Sequence, residues 1–330
     1  LCLIPYRIMW LAAVNLITVV GSIIRVSATE ADCGEAPQTV LYWGQNGETD
    51  LAKHCSSDLR ADVIVLAFLN QFGNGNVFAS GNIGTQCVIS NTGDSSGCES
   101  LANAIKTCQT NGVKIFLSLG GAVGEYSLTS EEEAHNIGQN LWDAYGNSAS
   151  ETVPRPFGAV YVNGWDFNIE RVAGNEHYPA LIKQLRHNFA DDNANQYYLS
   201  SAPQCPIPDI NVSDLINSVS FDYLWVQFYN NPACSKTGEI NYDEWVSQVA
   251  TAESADAKIF LGVPAAPLAA SDATYYFGPQ DLASLVSKYN SSPSFGGVMM
   301  WSAAHSDNNV SGGCTYAQQV SKILKTGSPC

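Results

Sequence analysis

Residues 163–170 read Asn163-Gly164-Trp165-Asp166-Phe167-Asn168-Ile169-Glu170. Side chains along a β-strand alternate between its two faces. Asp166, Asn168 and Glu170 therefore share one face, and Trp165, Phe167 and Ile169 share the other. The apolar set suits packing outward beneath a layer of helices. The polar set climbs an enclosed interior and ends with Glu170 at its rim. Stacking three polar side chains inside a core is costly unless they bond to one another. No packing requirement explains that cost, so the stack points to function.

Seven other short apolar runs flank this one, at 39–43, 62–68, 113–119, 196–200, 223–229, 258–263 and 297–301, with the fourth strand itself expected over 159–170. Helical patterns fall between them at 100–110, 131–145, 178–189, 242–252 and 279–289. Gly112 sits just past the first of these, where a helix C-terminus favours glycine. Eight β-then-α units in one chain of this length give an α/β fold, a single-domain (β/α)₈ TIM barrel. A doubly wound sheet would call for a glycine-rich turn after the first strand. Trp43-Gly44-Gln45-Asn46-Gly47 lacks that pattern. In such a barrel the active site lies at the C-terminal ends of the strands.

Composition narrows the partners. Of 330 residues, 31 are acidic and 15 basic, for a net charge of −16, yet only 14% are charged at all. Nucleic acid and anionic membranes are excluded, because both need clustered Lys and Arg. A sparsely charged, aromatic-rich surface suits an uncharged ligand such as a sugar. No linker or repeat interrupts the chain, and a monomer is expected.

The ten cysteines include no CxxC pair, which argues against zinc ribbons and redox motifs. The nearly unbroken apolar run 9–26 ends at Val26-Ser27-Ala28, the pattern of a signal peptide over residues 1–28, with the catalytic barrel over 29–330. The start at Leu1 suggests a fragment or an upstream extension, with Met9 a plausible initiator. Secretion would leave nine cysteines, so at least one thiol is expected to be free or intermolecular. Asn211, Asn290 and Asn309 head Asn-X-Ser sequons open to glycosylation.

A lone carboxyl at a barrel rim reads as a general acid, its pKa raised by burial. Glycosidases ordinarily need a second carboxylate as nucleophile or base. The exception is substrate assistance, in which a sugar's own 2-acetamido oxygen attacks the anomeric carbon. Asp166, Asn168 and Glu170 fit that scheme better than a two-carboxylate one.

Six further segments complete a pattern. They are Tyr42-Trp43-Gly44-Gln45-Asn46-Gly47; the run 67–75 (AFLNQFGNG); Ser118-Leu119-Gly120-Gly121; the run 201–206 (SAPQCP); the run 225–232 (WVQFYNNP); and Gly296-Gly297-Val298-Met299-Met300-Trp301. With 163–170 they resemble glycoside hydrolase family 18, in particular the class III, hevamine-like chitinases of plants and fungi, over about 38–324. The resemblance implies a retaining, cofactor-free and metal-free endochitinase acting on chitin or chitooligosaccharides. It implies Glu170 as acid and base, and Asp166 as the inner acid supporting its neighbour. Asn168 stands where the family has the Asp that grips the acetamide, and Asn163 where it has a structural Asp. Tyr229 would bond the acetamide oxygen with Gln227 beside it, and Trp301 would floor the reacting sugar. Tyr42, Gln45, Phe68, Gly121 and Gln204 would line the groove. The implied disulfides are Cys55–Cys108, Cys87–Cys98 and Cys205–Cys234, with Cys33, Cys314 and Cys330 unassigned.

Two of the four signature acids are thus amides. Asn168 can accept the acetamide N–H but brings no negative charge to an oxazolinium-like intermediate. The loss of one charge-assisted hydrogen bond is worth about 1.5–3 kcal/mol, on the order of 10- to 100-fold in rate. A slower hydrolase with a shifted pH profile is expected. A glycan-binding lectin or inhibitor, or an endo-β-N-acetylglucosaminidase acting on N-glycans, are the alternatives. No GxSxG, GxxxxGK[ST] or HExxH motif offers a rival chemistry. The five histidines (54, 135, 177, 187 and 305) have no metal-ligand spacing, and Glu131-Glu132-Glu133 reads as an acidic helix start.

Overall fold

The computed structural model describes residues 36–48, 50–56 and 61–330. The expected signal segment and Cys33 lie outside the described residues. Among the described residues no helix is long and apolar enough to cross a membrane.

Eight parallel strands close into a barrel: β1 (Gln38–Trp43), β2 (Val63–Gly73), β3 (Lys114–Gly120), β4 (Gly164–Asn168), β5 (Tyr198–Ser201), β6 (Tyr223–Gln227), β7 (Lys258–Pro264) and β8 (Phe295–Trp301). Each pairs with the next, and β8 returns to β1 with Gln38 opposite Gly297. The outer layer comprises α1 (Glu99–Thr110), α2 (Glu131–Tyr145), α3 (Tyr178–Asp191), α4 (Ser213–Ser218), α5 (Tyr242–Val249), α6 (Pro279–Tyr289), α7 (Ala303–Asp307) and α8 (Tyr316–Thr326). The first crossover carries only a 3₁₀ turn, Ala52–Cys55, among its described residues, and an antiparallel excursion over 76–96 follows β2.

Strand alternation sorts the core into two bodies. Val40, Tyr42, Phe116, Trp225 and Phe260 fill the barrel interior. Leu41, Trp43, Trp165, Phe167 and Ile169 belong to the larger body between strands and helices. Trp165 is fully buried and stacks on Phe189 of α3 at 5.4 Å. The outward face expected for 165–169 is therefore present.

The start of β4 differs from the sequence expectation. The strand begins at Gly164 rather than at Ala159. Arg155 clamps the preceding turn: Nε donates to Gly158 O at 2.8 Å, and Nη1 and Nη2 donate to Asp143 O and Gly146 O at the end of α2, at 2.6 and 2.7 Å. Residues 159–162 are thereby committed to a connection. At Gly164 a Cβ would approach Tyr198 O to 2.6 Å and the Phe116 ring to 2.9 Å, so only glycine fits. The sixth strand likewise ends at Gln227, short of Tyr229.

Disulfides join Cys55 to Cys108, Cys87 to Cys98, Cys205 to Cys234 and Cys314 to Cys330. The last pair was not assigned from sequence. Every cysteine among the described residues is paired.

Asn163 works as a clip at the foot of β4. Its Oδ1 accepts the Ile115 N–H at 2.9 Å and Gln109 Nε2 at 3.0 Å, while its own N–H donates to Ile115 O at 2.7 Å. Asn163→Ala orphans those donors and is expected to cost about 1–3 kcal/mol in denaturant titrations. Asn163→Asp, which keeps the acceptor, should recover most of that loss.

Candidate active site

The inner face of β4 is organised around Asp166, which is wholly buried. Its Oδ2 accepts the hydroxyls of Tyr42 at 2.7 Å and Ser118 at 2.6 Å. Its Oδ1 accepts the Ser200 hydroxyl at 2.7 Å and the Trp225 indole N–H at 2.9 Å. Burial pushes the Asp166 carboxyl above its ordinary range, and these four donors pull it back. Burial, reinforced by Asp166, also raises the Tyr42 phenol, which stays protonated as a donor.

Two residues higher, Asn168 is 5% exposed. Its side chain hydrogen-bonds the Glu170 carboxyl, and its Oδ1 lies 3.5 Å from Gln227 Nε2. Glu170 sits just past the strand, half-buried at the mouth. Burial raises its pKa most, the Asn168 hydrogen bond lowers it, and the nearby Asp209 charge raises it again. The net direction is upward, so the acid form persists to higher pH than for a free glutamate. Its backbone is fixed through Tyr126, whose oxygen accepts the Glu170 N–H at 3.0 Å and whose O–H donates to Gly121 O at 2.7 Å.

Asn168 and Glu170 open onto a cavity of about 210 Å³ at the C-terminal end of the barrel. Phe68 and Trp301 form an aromatic floor, their rings stacked at 5.8 Å and 21°. Tyr229, Gln227 and Gln204 form one wall, and Gln45 stands on the other side. Burial, then the Glu170 charge, raises the Tyr229 phenol, so its hydroxyl remains a donor. Gln204 is held in place by Asp209, whose Oδ2 accepts its N–H at 2.9 Å, and by Asn231, which donates to its Oε1 at 2.9 Å.

Nine of the sequence-derived residues therefore converge: Asp166 lies beneath the cavity, and the other eight line it. Two stand elsewhere. Tyr42 is 1% exposed and lies under the floor, its hydroxyl spent on Asp166. Gly121 is a spacer: its N–H donates to Asn168 O at 2.7 Å, and a Cβ there would press on the Phe68 ring at 3.0 Å. Sequence reasoning missed Ser118 and Ser200 as partners of Asp166. For Ser118 a signal was available, since it is a lone hydroxyl between Leu117 and Leu119; Ser200 is followed directly by Ser201 and does not stand out. Tyr126 and Asp209 act through contacts to backbone that leave no local pattern.

The family described as Glycosyl hydrolases family 18 matches residues 38–275. Endochitinase 2 of Metarhizium robertsii is 51% identical over 311 residues, which span 89% of this chain and 74% of that protein. The crystal structure of ICChI chitinase from Ipomoea carnea is 33% identical with a TM-score of 0.74, covering 87% of this chain and 99% of that one. The xylanase and alpha-amylase inhibitor protein XAIP-II from Scadoxus multiflorus is 31% identical with a TM-score of 0.73, covering 90% and 100%.

Asp166→Ala would strand four buried donors at about 1–3 kcal/mol for each unsatisfied group, enough to threaten the fold. In Asp166→Asn the new amide N–H₂ can face the Tyr42 and Ser118 hydroxyls, which also accept, while its oxygen keeps Ser200 and Trp225. Thermal melts should therefore rank Asp166→Asn far above Asp166→Ala.

Proposed function

The chain belongs to family 18 of the glycosyl hydrolases, and from that premise we propose that it is a secreted endochitinase of the class III, hevamine-like type working by substrate assistance. Glu170 protonates the glycosidic oxygen of a β-1,4-linked N-acetylglucosamine chain. The acetamido oxygen of the sugar over Trp301 attacks C1 as the C1–O bond to the leaving chain breaks. The resulting oxazolinium is opened by water, whose proton returns to Glu170, and configuration at C1 is retained. Tyr229 donates to the acetamide oxygen, and Asn168 Oδ1 accepts its N–H.

One observation carries this reading. Glu170 is the only carboxyl among the described residues lining the cavity. A two-carboxylate mechanism has no partner in that wall, so the nucleophile has to come with the substrate. The 51% identity to a protein named Endochitinase 2 supports chitin as the substrate. The disulfides support an oxidising compartment. A monomeric barrel meeting an uncharged polymer suits a cavity walled by amides and aromatics.

Asn168 also favours a second reading, a glycan-binding protein without turnover. That reading gains weight from the similarity to XAIP-II, a protein named as an inhibitor. Hydrolysis of a soluble chitooligosaccharide separates the two. Turnover should fall by about 10²- to 10⁴-fold in Glu170→Gln, the range for a general acid. No turnover above that control at any pH overturns the enzyme reading.

Asn168→Asp should raise kcat on the order of 10- to 100-fold by restoring a charge-assisted hydrogen bond. Activity needs protonated Glu170, so it falls as pH rises through that group's raised pKa. Asn168→Asp replaces a donor that lowers this pKa with a carboxylate that raises it, so the alkaline limb should move to higher pH.

Two of the three sequons differ in what the asparagine amide already bonds. Asn290 is exposed at the end of α6. Asn309 Nδ2 already donates to Ala265 O at 2.8 Å and to Tyr276 Oη at 2.9 Å. A glycosylated amide nitrogen keeps one hydrogen and cannot make both bonds. Glycopeptide mass spectrometry of secreted protein should find Asn290 occupied and Asn309 bare.

A further inference from the structure

Glu48 takes no part in the chemistry above, yet it is a carboxylate only 7% exposed, in the loop leaving β1. One of its oxygens accepts the Gly44 N–H at 2.8 Å, the other accepts the Ala304 N–H, and the Gln45 N–H bonds to it as well. Gly44 and Gln45 follow β1, whereas Ala304 lies three residues beyond Trp301 of β8. Around this joint, Asn46 Nδ2 donates to Ser302 Oγ at 3.4 Å, and Gln45 Nε2 donates to Ala67 O at 2.8 Å, the carbonyl just before Phe68. One side chain thus fastens the segments that present Gln45 and Trp301 to the cavity, and the Gln45 side chain in turn ties in the segment of Phe68.

We propose that Glu48 is a positioning residue for the reacting sugar, its carboxylate bracing the aromatic floor by holding the β1 and β8 loops together. The proposal rests on the substrate reading given above. A carboxylate suits the joint because it offers acceptors to every N–H that faces it. Its acid form must turn one O–H toward a backbone N–H, and an amide has the same defect.

Burial pushes the Glu48 carboxyl up to about 7 against the pull of its backbone donors. The brace therefore holds above that pH and loosens as pH falls through it. The charged neighbours are few. Asp307 on α7 raises Glu48 and is itself paired with Lys53 at 2.6 Å and His54 at 3.7 Å on the 3₁₀ turn. His305 on α7 bonds Ser302 Oγ at 3.0 Å and is lowered by burial. Asp50 shares the hollow behind Glu48, where the described residues of the 76–96 excursion and α1 contribute only uncharged side chains.

The test is the affinity of a soluble chitooligosaccharide across pH 5.5–8.5, measured by calorimetry in a Glu170→Gln background that silences the catalytic acid. Kd should weaken about 3- to 10-fold as pH falls through about 7, the worth of one hydrogen bond. Glu48→Gln added to that background should bind at the weak level throughout, and His305→Asn should leave the inflection in place. Stability supplies a control of opposite sign. A carboxyl raised on folding favours the folded state at low pH and loses that contribution as pH rises through 7, so a purely structural Glu48 would move the denaturation midpoint and not Kd. Binding that is flat through pH 7 with Glu48 intact overturns the proposal alone. No binding at any pH sinks the substrate reading and this proposal with it.

Discussion

A single carboxylate ties five strands of the barrel together. Asp166 on β4 takes hydrogen bonds from Tyr42 on β1, Ser118 on β3, Ser200 on β5 and Trp225 on β6. A buried carboxylate is tolerable only when its lone pairs are met, and here the four donors come from four different strands. Their convergence fixes the rotation of β4 about its own axis. That rotation in turn puts Asn168 and Glu170 on the inner face and lifts them to the mouth. The site is thus set by a hydrogen-bonding requirement one layer below it.

An amide at position 168, where the family resemblance implies an acid, would act in two places at once. On the proposed mechanism it would leave a developing cation without a negative charge beside it, and it gives Glu170 a hydrogen-bond donor that favours the ionised form. Burial and Asp209 oppose the second effect, and the net shift at Glu170 is still upward. On that mechanism the proposed proton donor would be affected less than the electrostatic support for the intermediate. An amide at this position is compatible with turnover and with retained binding, which is why measured rates, and not the motif alone, separate the two.

The fold was legible because most barrel strands carry an apolar run with a clear outward or inward set. Trp165, Phe167 and Ile169 read as outward from alternation alone, and they lie there. The missing pieces are those in which distant residues decide. Residues 159–162 carry the composition of a strand, but Arg155 ties the turn before them to α2 and delays β4 to Gly164. Tyr42 looks like a cleft aromatic in sequence, yet Asp166 draws its hydroxyl below the floor. Glu48 stands in a polar loop and gives no hint of burial until Ala304, 256 positions away, is seen to donate to it.

The distribution of charge follows from the same economy. Among the described residues the cavity wall offers amides, a phenol and aromatic rings, with Glu170 its one carboxyl and Asp166, Asp209 and Glu48 set behind it. Asp166 orients the strand, Asp209 holds the Gln204 loop, and Glu48 braces the floor. Each works through backbone, hydroxyl or indole donors and lies outside the cavity lining. An uncharged polymer gains nothing from ionic contacts, so acids in the wall would add desolvation cost without recognition. Placed one layer back, they convert that cost into rigidity of the groups that line the cavity, and leave Glu170 as the only carboxyl in that lining among the described residues.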